Sequence, residues 1–202
     1  MSEETTTPSA RQIELLDAAY QYVLEHGLVD LSLRPLAAAV GSSPRVLMFL
    51  FGNKDGLVRA LLARARIDEL AMLGHLGETS DGASIGLASA VDRVWAWLAA
   101  AEHRQLLRLW AEAYARSLVE PDGAWAGFAR ATVTDWLAVL AACQPPLEKD
   151  SEEGAARRTL ALAVLRGALL DLLATEDEDR VTAAVRHQLA LLHSRGPATP
   201  QP

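Results

Sequence analysis

The sequence is poor in features that several classes of protein need. It contains one cysteine among 202 residues, so it cannot form an internal disulfide, which is typical of the reducing cytoplasm. No apolar run reaches the length of about 18 residues that crosses a bilayer. The first nine residues are polar and acidic, unlike a signal peptide. We therefore expect a cytoplasmic protein with no membrane segment.

The chain also lacks the patterns of common catalytic and metal sites. Its five histidines show no spacing such as His-Glu-x-x-His, and there is no glycine-rich phosphate loop and no Gly-x-Ser-x-Gly. Cys143 is interpreted as a small core residue, and Glu176 to Asp179 as a solvated loop. We expect no enzyme, no cofactor and no metal. A small helical enzyme acting on an apolar substrate is the alternative from another class.

Charge is distributed unevenly along the chain. The formal net charge of −7 opposes binding to nucleic-acid phosphates. Between Arg11 and Arg66, however, seven basic residues stand against five acidic ones, a net charge of +2. From Ile67 onward, 12 basic residues stand against 19 acidic ones, a net charge of −7. This asymmetry permits a protein that presents its N-terminal part to DNA.

Alanine and leucine are abundant, and no extended alternating pattern occurs, so the chain is predicted to be all-α with about nine helices. Breaks at Gly27, Gly41 and Gly52 are closely spaced, whereas the helices after Asn53 are longer. This contrast predicts a helix-turn-helix head at residues 10–53 and a helical body at residues 54–195. The tails at residues 1–9 and 196–202 are expected to be disordered.

The first predicted helix has recognisable ends. Ser9 and Gln12 match a capping box, in which each side chain bonds the other residue's backbone N–H. Gly27 follows as a C-terminal cap. The predicted apolar face of this helix consists of Ile13, Leu16, Tyr20, Val23 and Leu24.

Two further short helices are predicted around a glycine turn. Ser32 is a natural N-cap for the first of them, and Gly41 permits a tight turn after it. Either Ser42 or Ser43 then caps a helix that begins at Pro44. A short helix, a glycine turn and a second short helix form the layout of a helix-turn-helix.

The segment from Arg11 to Arg66 resembles the DNA-binding head of the tetracycline-repressor (TetR) family along its whole length. The matching elements, in order, are Leu16-Asp17-Ala18-Ala19, Gly27, Ser32, Leu36-Ala37, Gly41 and the run from Phe51 to Leu57. No single element is distinctive, but their succession in register is. The resemblance implies a homodimeric transcriptional regulator, usually a repressor, that binds a near-palindromic duplex operator and releases it on binding a small effector.

The resemblance also implies which residues contact DNA, with Pro44 to Phe49 as the recognition helix in the major groove. Arg45 is the candidate for a base edge, since a guanidinium can bond guanine bidentately; a solvated or phosphate-bound arginine is the alternative. A cation at Lys54 opposes the dipole of the fourth helix, so a phosphate contact explains it better. The candidate DNA-binding residues are Ser32, Arg34, Ser42, Ser43, Arg45, Val46, Met48, Phe49 and Lys54.

One departure from the family pattern lies in the recognition helix. The family commonly has tyrosine followed by histidine or tyrosine where this chain has Met48 and Phe49. Methionine cannot replace the phosphate contact of a tyrosine hydroxyl, whereas Phe49 can pack, for example against a thymine methyl group. The departure affects the operator sequence that the helix would recognise and leaves the expected fold unchanged.

The body is expected to bind a small, lipophilic effector among its aromatic side chains. The candidate ligand-binding residues are Trp95, His103, Leu107, Trp110, Tyr114, Trp125, Phe128 and Trp136. Two alternatives stay open: these side chains only fill the core, or a protein partner controls a TetR-fold regulator.

The last two predicted helices, Glu152 to Ala174 and Arg180 to Ser194, are where the resemblance implies dimerisation. Small and apolar residues at helical spacing would allow close packing in a two-fold four-helix interface. The candidate interface residues are Leu160, Ala163, Val164, Gly167, Val181, Val185, Leu189 and Leu192.

Overall fold

The structure, a computed structural model, describes residues 8–28, 30–76 and 84–194, and within these residues it contains helices and no strand. This confirms the all-α prediction, and the described ranges hold ten α-helices where about nine were expected. The helices are α1 (Ala10–His26), α2 (Leu33–Ala39), α3 (Pro44–Phe51), α4 (Lys54–Leu76), α5 (Leu87–Ala99), α6 (Arg104–Val119), α7 (Phe128–Cys143), α8 (Pro146–Lys149), α9 (Glu152–Thr175) and α10 (Glu178–Ser194). A short 3-10 turn at Ala101–His103 precedes α6. Residues 1–7 and 195–202, which contain most of the predicted tails, lie outside the described residues.

The chain divides into two compact units. Unit 1 comprises Met1–Asp68 and Arg108–Ala129, and unit 2 comprises Glu69–Leu107 and Arg130–Pro202. Unit 1 therefore combines α1, α2, α3 and the first part of α4 with a later segment that contains most of α6. The functional division between residues 53 and 54 stays a prediction.

Helix α1 begins and ends where its caps predict. The Ser9 hydroxyl accepts a hydrogen bond from the Gln12 N–H at 3.2 Å, and the Gly27 N–H donates to the Val23 carbonyl at 2.9 Å. The second half of the capping box, a bond from the Ser9 N–H to the Gln12 side-chain oxygen, stays a prediction. The Gln12 side-chain Nε2 donates to the Leu50 carbonyl at 3.1 Å, which ties the start of α1 to α3.

The buried face of α1 differs in phase from the prediction. Leu15, Ala19, Tyr20 and Val23 are buried, whereas Ile13 is 50% exposed. Leu15, Ala19 and Val23 follow one another at four-residue spacing, so they share one face of the helix. The period was right, but sequence alone did not show that the small Ala19 lies at the centre of the contact.

The turn between α2 and α3 requires glycine. Gly41 has a φ of 61°, in the left-handed region. The following Ser42 N–H donates to the Ala37 carbonyl at 2.8 Å, which satisfies the end of α2. Leu36 and Leu47, one on each helix, are fully buried. The predicted helix-turn-helix is therefore present, with its second helix starting at Pro44.

In unit 2, α5 packs against α9 and α10, and α9 packs against α10. The core contains Val91, Val94, Leu98, Ala161, Leu162, Leu165, Leu169, Leu172, Val181, Val185 and Leu189. Cys143 is buried, as predicted, and burial raises the pKa of its thiol. None of the described helices is long and apolar enough to span a membrane.

Candidate nucleic-acid interface

The recognition helix α3 is held by a cap at its start and by one side chain at its centre. The Ser43 hydroxyl accepts a hydrogen bond from the Val46 N–H at 3.3 Å, so Ser43, and not Ser42, is the N-cap. Leu47 is 0% exposed and is the one fully buried residue of this helix. The remaining side chains of α3 are consequently exposed or half-buried.

The outer face of α3 carries a cation and an aromatic ring. Arg45 is exposed, and Phe49 is 86% exposed. At 100° per residue the two lie about 40° apart, and each lies about 160° from Leu47. The side of α3 opposite its anchor thus presents Arg45 and Phe49 next to each other, with Val46 40% exposed beside them.

The remaining candidates for DNA contact surround this helix in sequence. Arg34 and Ser32 are exposed, and the Ser32 side chain makes no capping hydrogen bond. Ser42 and Met48 are half-buried, whereas Ser43 and Lys54 are exposed. All nine candidates belong to unit 1, and none is buried. Their contacts with DNA stay a prediction.

A tight corner places Lys54 directly after α3. The Asn53 side-chain oxygen accepts a hydrogen bond from the Gly56 N–H at 2.7 Å, so Asn53 caps α4 and Lys54 is its first residue. A Cβ atom at Gly56 would lie 2.1 Å from the Phe51 carbonyl oxygen, so this position requires glycine. The Asn53–Gly56 turn thereby fixes Lys54 at the free N-terminal end of α4.

One contact within unit 1 was not predicted from the sequence. Both carboxylate oxygens of Glu112, on α6, accept hydrogen bonds from the Leu28 N–H at 3.1 Å. They also approach Gly27 closely, since a Cβ atom there would lie 3.4 Å from one of them. The contact ties α6 to the loop that joins α1 and α2. Because the partners are 84 positions apart in the sequence, no local pattern signals the contact.

A second cluster that was not predicted from the sequence joins α1 to α4. The Arg64 guanidinium donates to the Asp17 carboxylate at 2.9 Å and to that of Asp68, and its central carbon lies 5.0 Å from the centroid of the Tyr20 ring. The two carboxylates raise the pKa of Arg64. Burial, and secondarily the Asp68 carboxylate, raises the pKa of Tyr20. The cluster holds α4 against α1.

The eight candidate ligand residues divide equally between the units. Unit 1 contains Trp110, Tyr114, Trp125 and Phe128; unit 2 contains Trp95, His103, Leu107 and Trp136. In unit 1 the rings of Trp110 and Tyr114 lie in contact, with centroids 4.9 Å apart. In unit 2 the His103 ring stacks on Trp97, and its Nδ1 pairs with the Trp97 carbonyl at 2.9 Å. His103 therefore takes part in the local structure before α6.

Trp136 makes the most distinctive polar contact among these residues. It is buried on α7, and its indole N–H donates to the carboxylate of Glu69, which is only 7% exposed. One turn earlier on α7, Thr132 is 1% exposed, and its hydroxyl has no hydrogen-bond partner among the described residues. Trp95 is also buried, and its indole N–H donates to the Thr182 hydroxyl at 3.0 Å. Sequence reasoning identified the two tryptophans but missed Glu69 and Thr132.

The candidate dimer residues on α9 and those on α10 differ in their exposure to solvent. On α9, Leu160, Ala163 and Gly167 are exposed, and Val164 is half-buried. On α10, Val181, Val185 and Leu189 are buried within the chain's own core, so they offer no free surface in the single chain. The side chain of Leu192 lies outside the described residues. The exposed apolar and small positions of α10 are Ala183, Ala184, Ala190 and Leu191.

The acidic run before α10 has a structural role. Asp177 accepts a hydrogen bond from the Arg180 N–H at 3.1 Å, and the Arg180 guanidinium bonds Asp171 bidentately at 2.7 and 2.9 Å. These bonds lower the pKa of Asp171. Among the described residues, no group of histidine, cysteine, aspartate and glutamate is arranged to hold a metal ion.

Comparison with known proteins agrees with this architecture. Residues 15–61 match the family model described as bacterial regulatory proteins, tetR family. A TetR-family transcriptional regulator from Rhodococcus sp. is similar in structure, with a TM-score of 0.71 and 18% identity over 91% of this chain and 99% of that one. No curated protein matches the sequence.

A second solved relative is the multidrug binding protein EbrR. Its complex with imidazole covers 100% of both chains, with a TM-score of 0.66 and 23% identity. Its complex with proflavin covers 88% of this chain and 99% of that one, with a TM-score of 0.58 and 22% identity. At these identities the likeness shows that the fold is shared.

A helix-turn-helix with an exposed second helix is a layout by which proteins place a helix in the major groove of DNA. Residues 15–61 match the tetR family model, and the chain shares the fold of solved TetR-family regulators.

Proposed function

We propose that this regulator is a homodimeric repressor that binds a near-palindromic operator through α3 and is released by a small, lipophilic effector. The observation that carries the DNA-binding part is the outer face of α3. Arg45 and Phe49 are exposed side by side there, while Leu47 anchors the opposite face. Arg45 bonds a base edge in this proposal, and Lys54 bonds a phosphate.

The test of operator binding is gel retardation of duplex DNA taken from the region upstream of the chain's own gene. Arg45→Ala should weaken binding in a sequence-dependent way, by about 1–3 kcal/mol. Lys54→Ala should weaken binding to all sequences and reduce the slope of log K against log salt by about 1. Arg186→Ala is the matched control, because it removes an exposed arginine from α10. Absence of retardation by the unmodified protein would refute the proposal.

The proposed dimer interface lies on the outer face of α9. Ala156, Leu160, Ala163, Gly167, Leu170 and Ala174 are all exposed. Their spacing alternates between four and three residues, so they form one apolar stripe along the helix. Leu160 and Leu170 are 53% and 52% exposed. Small residues between two exposed leucines allow a second copy of the helix to approach closely, which supports dimerisation here.

Gly167 offers a test that leaves the protomer intact. Nothing lies within 4 Å of a Cβ atom at this position. Gly167→Arg should therefore fold normally but block close approach of a second α9. Sedimentation velocity should then show a monomer, and DNA binding should fall steeply because one head contacts only a half-site. Arg186→Ala should remain dimeric. An unaltered dimer in Gly167→Arg would remove this interface from the proposal.

The proposed effector site includes the buried polar and aromatic groups of α7. The Trp136 indole and the Thr132 hydroxyl combine apolar surface with hydrogen-bonding capacity, which is typical of small-molecule sites. EbrR, a relative of the same fold, was solved with imidazole and with proflavin. A lipophilic ligand of this chain should raise its melting temperature and abolish retardation.

The effector proposal can be tested by a thermal-shift screen of lipophilic compounds, with Thr132→Val as the variant. Valine keeps the shape of threonine but removes the hydroxyl, so it should leave the fold intact and weaken ligands that bond at this point. A screen without any stabilising compound would instead favour control by a protein partner.

A further inference from the structure

One aromatic ring of the recognition helix stands almost entirely in solvent. Phe49 is 86% exposed on α3, and the neighbouring Val46 is 40% exposed. Exposed apolar surface is unfavourable in water. A single exposed apolar side chain at an arbitrary place on a protein surface would need no explanation. Here the ring lies on the face that carries Arg45, so any duplex bound by the arginine also covers the ring.

The spacing of Arg45 and Phe49 limits which bases they reach. Four residues of helix correspond to about 6 Å along the helix axis. Consecutive base pairs are about 3.4 Å apart. When the helix lies along the groove, the two side chains therefore meet base pairs that are at most two steps apart.

The chemistry of the ring selects the base. A phenyl group neither donates nor accepts the hydrogen bonds that distinguish guanine, adenine and cytosine. The one apolar group that a base presents in the major groove is the C5-methyl group of thymine. We propose that Phe49, assisted by Val46, reads the methyl group of a thymine within two base pairs of the base bound by Arg45. The inference rests on the proposed placement of α3 in the major groove.

The same exposed ring offers a different contact, against the sugars and phosphates at the edge of the groove. That contact would bury Phe49 without any dependence on a base. The two contacts differ in one measurable property, because only the first is lost when a single methyl group is removed from the DNA.

The experiment starts from a duplex that the full-length protein selects from a random-sequence pool. Each thymine is then replaced singly by deoxyuridine, which pairs like thymine but lacks the methyl group. At one position per half-site, the affinity of the unmodified protein should fall about fourfold, the factor that corresponds to about 0.8 kcal/mol for one buried methylene-sized group. Phe49→Ala should bind the unmodified duplex more weakly and should not respond to deoxyuridine at that position.

Leu147→Ala is the matched control, since it truncates a side chain that is 92% exposed on α8, far along the chain from α3. It should keep the full response to deoxyuridine. The melting temperature of Phe49→Ala should equal that of the unmodified protein, because the ring contributes little to the core.

The outcomes distinguish the proposed readout of a thymine from the operator binding on which it rests. A selected site without a recurrent thymine overturns the readout, as does an equal response to deoxyuridine in the unmodified protein and in Phe49→Ala. If no deoxyuridine substitution changes the affinity for the selected duplex, operator binding stands but the readout is overturned. Phe49 then contacts the sugars and phosphates of the DNA and not a thymine methyl group. Failure to select any duplex overturns operator binding and the readout together.

Discussion

Two helices of this chain, α3 in unit 1 and α9 in unit 2, turn apolar groups toward solvent, but they do so with different chemistry. On α3 the exposed face contains a guanidinium beside a phenyl ring, Arg45 and Phe49. On α9 the exposed stripe from Ala156 to Ala174 contains alanine, leucine and glycine and no charge. A cation beside an aromatic ring suits the mixed polar and apolar edges of bases. An uncharged stripe of small residues suits a second helix.

The two helices also differ in how firmly they are held. Helix α3 has eight residues and one fully buried side chain, Leu47. Helix α9 has 24 residues and buries six, Gly154, Ala161, Leu162, Leu165, Leu169 and Leu172. Because α9 buries several side chains, truncation of one should lower the stability of the protein but leave α9 packed in place. Helix α3 has one fully buried side chain, so no other buried residue of the helix compensates for its loss.

The largest expected effect comes from removing these anchors. Leu47→Ala and Leu165→Ala should each lower the free energy of unfolding by about 2–5 kcal/mol. Only Leu47→Ala should also abolish gel retardation at temperatures where the protein remains folded, because α3 then loses its one fully buried side chain. Chemical denaturation and retardation, measured on both variants, check this. Retained DNA binding in Leu47→Ala would mean that α3 is held by more than Leu47, and equal loss in both variants would mean that the loss follows from general destabilisation.

A smaller effect is expected where α4 and α9 begin, since both use a capped turn with a glycine three residues after the cap. A Cβ atom would lie 2.1 Å from the Phe51 carbonyl oxygen at Gly56, and 1.8 Å from the Glu148 carbonyl oxygen at Gly154. Gly56→Ala and Gly154→Ala should each cost about 1–3 kcal/mol through forced backbone shifts. Gly154→Ala should cost more, since Gly154 is buried and Gly56 is half-buried. Gly74→Ala, with open space around its Cβ position, is the control.

The next effect concerns the link between α6 and the loop after α1. Glu112→Gln removes the negative charge but keeps one oxygen that can accept the Leu28 N–H, so the loss should be about 1 kcal/mol. DNA affinity should fall with it, because the loop positions α2. Thermal unfolding and retardation measure the two effects. The idea that Glu112 positions the head fails if retardation is unchanged while the melting temperature falls.

The smallest expected effect is at the exposed joint of α9 and α10. The Arg180 guanidinium lowers the pKa of Asp171, so its contribution to stability is present above the ordinary aspartate pKa and is lost as the pH falls through the lowered value. Arg180→Ala should reduce the melting temperature slightly at pH 7 and by less at acidic pH. Salt should diminish the difference, because the pair is exposed. A difference that grows toward acidic pH would contradict the assignment.

Local chemistry explains which features could be predicted from the sequence. The caps at Ser9 and Asn53, the turn at Gly41 and the start of α3 at Pro44 each depend on residues within a few positions of one another. The bond from the Gln12 side-chain Nε2 to the Leu50 carbonyl was not predictable in this way, because Leu50 is distant in sequence. The phase of the apolar face of α1 was mispredicted because long-range packing decides it, and that packing buries Ala19 and leaves Ile13 exposed.

By itself, the amino-acid sequence determined the helical class, the helix-turn-helix and the residues of α3, because propensity, capping and periodicity act over one or two turns. Only the tertiary structure decided that Val181, Val185 and Leu189 lie in the core while the apolar stripe of α9 faces outward, and that Glu69 and Glu112 bond partners remote in sequence. An amphipathic pattern shows that a helix has an apolar face. Which apolar face meets the chain's own core depends on long-range packing, and no local pattern contains that information.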